Sequence, residues 1–544
     1  MNSYFVVFVA VLYATISSCR VSFSGLRSSA PFLGAQTINV LKLSETDSFR
    51  LHDYGSQEAF SVKEGYDEFP EFYFTQPLDH FSAGIHDTFK QRYWFSKRHY
   101  KKGGPVFILD SGEVIGEERL PFLDTGILEI LSKATNGIGV ILEHRYYGKS
   151  IPVANFSTDS LRWLTNDQAV ADTVNFMSKV KLEGIQEDIT APQTPWIYYG
   201  GSYAGGRSAH MRVLHPDLVY GALSSSGVIH ATIELPEYME VIRNAAPVDC
   251  SKGIESSIAV IDHILLHNTP LRKPLKALFG LADLEHDDDF VSLIASPLGK
   301  WQDKNWDPDF EFSNSFFDEF CDILTSRSLQ NNNDSEDEIL IEGWRVPSVL
   351  VNYAKYIRKN YVSKCPSGNT IENCFGTRNA TKYQGTDLSE TWRAWTFQVC
   401  TTWGYFIIAP NDPKQPRIIS SLKTLESTSR ICRQAFPPGQ HFAVPNWPNV
   451  TAVNTVGDFA ITADRLALIN GEVDPWRPVT AHSQYAENRS DTITRPFKLI
   501  RGGVHRYDEN GLRNTEDEPP NIRKIHKEEI EFVKEWLKEW RAPH

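Results

Sequence analysis

The stretch WIYYGGSYAGGRSAHMRVLHP, residues 196–216, passes from an apolar aromatic run through a turn of small residues straight into a helical pattern, with Ser202 at the turn. A strand that reverses so abruptly into a helix strains the backbone at the corner, and only small neighbours fit there. Ala204 stands where the last glycine of a G-x-S-x-G string would be, one small residue for another. Such a string alone does not separate a polar turn from a nucleophile elbow. The rest of the chain has to decide.

The elbow sits in a series of strand-length apolar runs: KQRYWF (90–95), PVFILD (105–110), GVILEH (139–144), WIYYG (196–200) and VYGALSSS (219–226). Between the third and fourth, LRWLTNDQAVADTVNFMSKVK (161–181) has the spacing of an amphipathic helix. Strands alternating with helices predict an α/β fold, a mainly parallel sheet covered on both faces. The pattern returns with RLALIN (465–470) and FKLIRGG (497–503), and Ile530, Val533, Leu537 and Trp540 space out a closing helix that docks on the sheet. Residues between about 230 and 450 read differently, as long helical segments with two acidic runs, LEHDDDF (284–290) and NNNDSEDE (331–338). Those runs read as solvated loops in preference to calcium sites. Residues 66–229 and 455–544 are thus expected to form one domain, with 230–454 inserted into it as a mainly helical second one.

The N-terminus, MNSYFVVFVAVLYATISSC, is too short for a membrane span and suits a secretory signal over residues 1–19, although it has no Lys or Arg before the apolar run. Residues 20–65 are polar and without periodicity, an irregular leader or propeptide. No later segment has the length of apolar chain a membrane helix needs, so no membrane is expected for the mature form. A net charge of −13 excludes nucleic acid as a partner, since no basic surplus exists to neutralise phosphates. Once Cys19 leaves with the signal, Cys250, Cys321, Cys365, Cys374, Cys400 and Cys432 remain, all in the inserted region. In a secreted chain these are disulfide candidates; the connectivity is open, though short spacing favours Cys365 with Cys374. No paired CxxC or HExxH string suggests a metal, and no cofactor is expected. Asn155, Asn333, Asn379, Asn449 and Asn488 open N-x-S/T triplets, glycosylation acceptors in a secreted protein.

Two downstream residues complete a reading of Ser202. Asp474 in LALINGEVDPWRP follows one late strand and His505 in FKLIRGGVHRYDENG follows the next. Ser, then Asp, then His, each after a strand, is the order of an α/β-hydrolase triad. His505 would take the Ser202 proton as that oxygen attacks an acyl carbonyl, with Asp474 fixing the imidazole tautomer. The Tyr203 N–H is the natural first oxyanion donor, and the loop DSGEV offers Gly112 or Glu113 as the second. Glu143, His144 and Arg145 read as a buried hydrogen-bonded network, and His210 as structural.

Six ordered blocks, FTQPLDHF (74–81), FKQRYWF (89–95), LEHRYYGKS (142–150), GGSYAGG (200–206), NGEVDPW (470–476) and GGVHRYDE (502–509), with a looser one in WTFQVCTTWGYF (395–406), make the chain resemble the S28 serine peptidases. These include lysosomal Pro-X carboxypeptidase, dipeptidyl peptidase II and fungal acid prolyl endopeptidases. The resemblance implies an α/β-hydrolase core with a large helical cap inserted over the active site. It also implies cleavage on the carboxyl side of proline by Ser202, Asp474 and His505, in a secreted, lysosomal or vacuolar enzyme acting on proline-containing peptides. Trp476 matches an aromatic lining the proline pocket, and Glu113 resembles the acidic position that anchors a substrate amino terminus in the dipeptidyl peptidases, in a different local wording. Trp403 either lines the cleft or fills the core of the inserted domain. A homodimer is compatible with the sequence. Burying the three proline ring methylenes against an indole is worth roughly 2.4 kcal/mol, at about 0.8 each. The same triad would also serve an esterase or acyltransferase, and a catalytically silent binding protein is a third reading.

Overall fold

A computed structural model describes residues 34–51, 66–308, 311–326, 338–341 and 344–541. The signal segment and Asn333 lie outside them. Eight strands make one twisted sheet: β1 (Phe72–Pro77), β2 (Thr88–Ser96), β3 (Val106–Asp110), β4 (Ile138–Leu142), β5 (Trp196–Gly201), β6 (Val219–Ser225), β7 (Leu466–Gly471) and β8 (Phe497–Ile500). Their spatial order is β1-β2-β4-β3-β5-β6-β7-β8. β2 runs antiparallel to β1 and β4, and every other pair is parallel. Every residue of β3, β4 and β5 is buried, as expected of strands covered on both faces, and this explains their unbroken apolar runs. The order, the mainly parallel pairing and the crossover helices make this an α/β-hydrolase core.

Helix α1 (Ala35–Leu51) overturns part of the reading of residues 20–65 as irregular. Its apolar residues point two ways: Ala35, Ile38 and Leu41 pack with Tyr147 and Trp392, whereas Val40 joins the core of the inserted domain. An element buried on two sides has no single apolar stripe, so its periodicity is weak. Asn39 ties it further, donating to Gly376 O at 3.3 Å and accepting from Tyr383 Oη at 3.0 Å.

In the hydrolase core, α2 (Ile127–Thr135), α3 (Asn166–Lys179) and α4 (Tyr203–Leu214) follow β3, β4 and β5. Thr165 caps α3 by accepting from the Gln168 N–H. The chain between β6 and β7 is mostly helical, built around α5 (Val248–His267), α6 (Glu311–Thr325) and α7 (Ser348–Asn360), with two small two-stranded ribbons. The acidic run at 284–290 is not a solvated loop. Residues Asp287–Ile294 form a helix, Asp288 pairs with Arg378 and Arg430, and buried Asp289 accepts from the Thr377 N–H at 2.9 Å. Charges packed this way are satisfied internally, which composition alone does not reveal.

Three disulfides, Cys250–Cys321, Cys365–Cys374 and Cys400–Cys432, cross-link this region, and the short-spaced pair is among them. The first closes a loop of 71 residues between α5 and α6. Replacing both Cys250 and Cys321 by alanine is expected to cost about 4 kcal/mol through the freedom regained by the unfolded chain. A denaturant titration without reductant, read against wild type, checks this.

Candidate functional site

Ser202 sits between the end of β5 and the start of α4 with φ 61° and ψ −123°, a region that a residue bearing a Cβ rarely occupies. The corner is held by backbone bonds: Ser202 N–H donates to Ser225 O at 2.9 Å, and Ser202 O accepts from the Gly206 and Val228 N–H groups. Close packing explains the small residues around it. A Cβ at Gly205 would lie 2.7 Å from Gly227 Cα and from Ser225 O, so α4 could not approach β6.

His505 follows β8, and its Nδ1 lies 3.0 Å from each Asp474 carboxylate oxygen. Asp474 is fully buried and further fixed by the Trp476 N–H, which donates to Oδ1 at 2.9 Å, and by Asn470 Nδ2, which donates to Oδ2 at 3.2 Å. The His505 loop reaches the elbow through its next residues. Arg506 N–H donates to Ser226 Oγ at 2.9 Å, and a Cβ at Gly201 would meet both the Glu509 carboxylate and Arg506 Cδ. The ends of β5, β7 and β8 thus bring the three positions to one edge of the sheet.

The loop after β3 packs on the start of α4, with the Gly112 Cβ position 3.4 Å from Ala204 Cβ. Of its two candidate donors, the Gly112 N–H is already taken, donating to Asp110 Oδ1 at 3.0 Å. That leaves the Glu113 N–H as the other candidate with the Tyr203 N–H, which, as the first of α4, has no acceptor within its helix. Gly112, at φ 68°, shapes the turn instead.

Trp476 packs beside the His505 ring, and two tyrosines of the inserted region pack on Trp476 in turn. Trp476, 2 % exposed, has its ring 6.2 Å from His505 and makes edge contacts with Tyr238 and Tyr405, each at 5.3 Å. Gln302 of the inserted region accepts from Trp476 Nε1 at 2.9 Å and from Tyr238 Oη at 2.8 Å, fixing both rings. Trp403 is fully buried in the core of the inserted region and stands edge-on to Tyr203 at 5.2 Å. It closes a π-helical turn, Val399–Trp403, followed by two left-handed residues, Gly404 and Tyr405. Sequence reasoning missed Tyr238, Gln302 and Tyr405, which are remote in sequence from the motifs they touch or sit at the edge of one.

The elbow is also tied to the inserted region by hydrogen bonds. Gln398 Nε2 donates to Tyr203 Oη at 2.9 Å, and that hydroxyl donates to His144 Nε2 at 3.0 Å. His144 Nδ1–H donates to Arg145 O at 2.7 Å. Burial, then the nearby Arg207 charge, lowers the His144 pKa to about 4, so it stays a neutral acceptor. Glu143 and Arg145 are fully buried and paired, with Arg92 and Asp172 respectively, which makes this block a structural network. His210 is buried in α4. Among the sequons, Asn379, Asn449 and Asn488 are exposed, while Asn155 is half-buried with its Oδ1 accepting from Ser157 N–H and Ser160 Oγ. Among the described residues no helix is long and apolar enough to cross a membrane, and no group of three His, Cys, Asp or Glu could hold a metal ion.

The family profile described as Serine carboxypeptidase S28 matches residues 76–528. The chain belongs to the S28 serine peptidases. It is 40% identical over 496 residues to a probable extracellular serine carboxypeptidase of Arthroderma benhamiae, covering 86% of this chain and 68% of that one. A serine protease of Bipolaris victoriae is 28% identical over 459 residues, covering 80% and 83%. The human thymus-specific serine protease is 25% identical over 476 residues, covering 85% and 86%.

Behind the His505 loop of this S28 peptidase lies a buried acid pair. Asp508 accepts from Tyr199 Oη at 2.7 Å and from Ser225 Oγ. Beside it Glu529, on the last helix, α8 (Pro520–Glu539), is fully buried, and no N–H or O–H donor among the described residues reaches its oxygens. Burial, then the Asp508 charge, holds the Glu529 carboxyl well above its usual range, with Glu518 and Glu528 adding to the effect. Glu518 is engaged by His526 at 2.9 Å. A proton bound in the folded chain but not in the unfolded one stabilises at low pH. That stability is present in full below the unfolded value of 4.5 and is lost as pH rises above it, at about 1.4 kcal/mol per pH unit for one proton. The melting temperature of wild type should fall as pH rises past this point, and Glu529→Gln, whose amide can donate to Asp508 at any pH, should flatten the fall.

Proposed function

We propose that this S28 peptidase is a secreted carboxypeptidase that releases the residue following proline at the end of a peptide, through an acyl-enzyme on Ser202. The observation that carries the reading is Ser202 in a left-handed corner at the sheet edge where the His505–Asp474 pair also ends. With Nδ1–H donated to Asp474, His505 presents an unprotonated Nε2 as the base for Ser202 Oγ. As the carbonyl becomes tetrahedral, the Tyr203 and Glu113 N–H groups donate to its oxygen. His505 then gives the proton to the leaving nitrogen, and water, deprotonated by the same imidazole, attacks the acyl-enzyme.

Preference for proline follows from the apolar wall of Trp476, Tyr238 and Tyr405, against which a rigid ring is buried with little entropic cost. Action at a chain end is supported by burial: Ser202, His505 and Asp474 are 9, 7 and 0 % exposed beneath the inserted region. The name of the Arthroderma benhamiae relative, a probable extracellular serine carboxypeptidase, agrees with this mode and with secretion. The test is a peptide with both ends free and one proline before its last residue, incubated with wild type and read by mass spectrometry. Loss of the last residue alone is expected. Cleavage of an ester with no cleavage of the peptide would instead assign the site to an esterase.

A further inference from the structure

His505 is followed by Arg506, held at φ 54°. The Arg506 side chain crosses Gly201, whose Cβ position is 2.7 Å from Arg506 Cδ. The guanidinium therefore emerges beside the backbone that leads into Ser202, on the same loop as the imidazole. There it is poorly satisfied. Its ion pair with Glu509 spans 3.6 Å, outside hydrogen-bonding range, and its buried Nε has no hydrogen-bond partner among the described residues.

A second guanidinium stands close by. Arg119 Nε donates to Ser111 O at 3.2 Å, at the start of the loop that carries Gly112 and Glu113. Burial, then repulsion from Arg506, lowers the Arg119 pKa. The acids facing Arg506 are Glu509, Glu113 and, from the inserted region, Asp303. Asp303 is also paired with Lys300 at 3.0 Å, and among the described residues none of the three carboxylates forms a hydrogen bond with the Arg506 guanidinium, Glu509 standing 3.6 Å from it. Two like charges held together with a hydrogen-bonding edge left over make a receptor for an anion.

We propose that Arg506 and Arg119 bind the free α-carboxylate of the residue leaving the substrate, and so restrict this enzyme to the last residue of a chain. The inference rests on the carboxypeptidase reading above. Chemistry fixes the placement: the leaving nitrogen takes its proton from His505, and the terminal carboxylate carbon is two bonds beyond that nitrogen. Arg506 follows His505 directly, on the same loop as the imidazole that would protonate that nitrogen. A carboxylate would supply a charged acceptor for the unpaired edge of Arg506, which a carboxamide or a continuing chain would not.

The experiment compares two peptides of the same sequence with proline before the last residue, one ending in a free acid and one in an amide. The ratio of their kcat/KM values is read in wild type, Arg506→Gln, Arg119→Gln and Arg506→Lys. Because both substrates see the same enzyme preparation, the ratio does not depend on the active fraction. Wild type should favour the acid by about tenfold or more, and Arg506→Gln should remove about tenfold of that preference through KM for the acid. Arg119→Gln should act in the same direction, and Arg506→Lys should retain part of the preference. If Arg506→Gln does not fold, Arg119→Gln carries the test. An acid preference left intact by both glutamine variants would overturn the assignment, as would equal cleavage of acid and amide by wild type. Cleavage of neither by wild type would instead refute the carboxypeptidase reading on which it rests.

Discussion

Ser202→Ala is expected to lower kcat/KM on a proline peptide by about 10⁶-fold, the scale on which removal of a serine nucleophile acts when its base remains in place. The loss should fall on kcat, because the proposed proline wall of Trp476, Tyr238 and Tyr405 is untouched. Stability should hardly change. The strain at φ 61° belongs to the Cβ and the backbone, and alanine carries both. Steady-state kinetics with a melting curve on the same sample separates this outcome from a folding defect, in which activity and melting temperature would fall together.

Asp474→Asn is expected to cost about 10⁴-fold in kcat. The surroundings dictate how the amide would sit. Oδ1 of Asp474 accepts from the Trp476 N–H, and Oδ2 accepts from Asn470 Nδ2. An asparagine keeps its one oxygen against the Trp476 N–H and turns its NH₂ toward both Asn470 Nδ2 and His505 Nδ1. Facing that NH₂, His505 is favoured to accept at Nδ1 and carry its proton on Nε2, the nitrogen that has to receive the serine proton. Raising pH does not restore that tautomer, so the loss should persist across the pH profile. A variant that regained wild-type rates at high pH would show that Asp474 acts by charge alone.

The parts of this molecule legible in its sequence are those fixed by neighbours in the chain. β3, β4 and β5 were visible because burial on both faces makes them continuously apolar, and the corner at Ser202 because close packing of α4 on β6 forces small residues into a short window. Helix α1 was hidden because its buried residues face two different partners, and the acidic helix at Asp287–Ile294 because its charges are paired with arginines far along the chain. The site divides the same way. Ser202, Asp474 and His505 stand out as candidates from strand-end positions and order. The loss of Gly112 as a donor depends on an Asp110 carboxylate that turns back on its own loop, and the role of Gln302 depends on contacts with Tyr238 and Trp476 from three separate segments. Sequence order carries no record of either.

The Gln398 bond to Tyr203 shows how the inserted region can matter to chemistry it does not perform. It holds the hydroxyl of Tyr203, the residue that follows Ser202. The buried Asp508 and Glu529 pair does the same from beneath, since Asp508 anchors the His505 loop to Tyr199 and Ser225. Both devices lie outside Ser202, Asp474 and His505 and hold residues next to them in the chain.

The most direct measurement is peptide mapping after reaction with a fluorophosphonate, with residual peptidase activity followed alongside. The account predicts one adduct, on Ser202, accumulating in proportion to lost activity and absent from Ser202→Ala. An adduct on a different serine that tracks the loss of activity, or full inactivation with Ser202 unmodified, would contradict it.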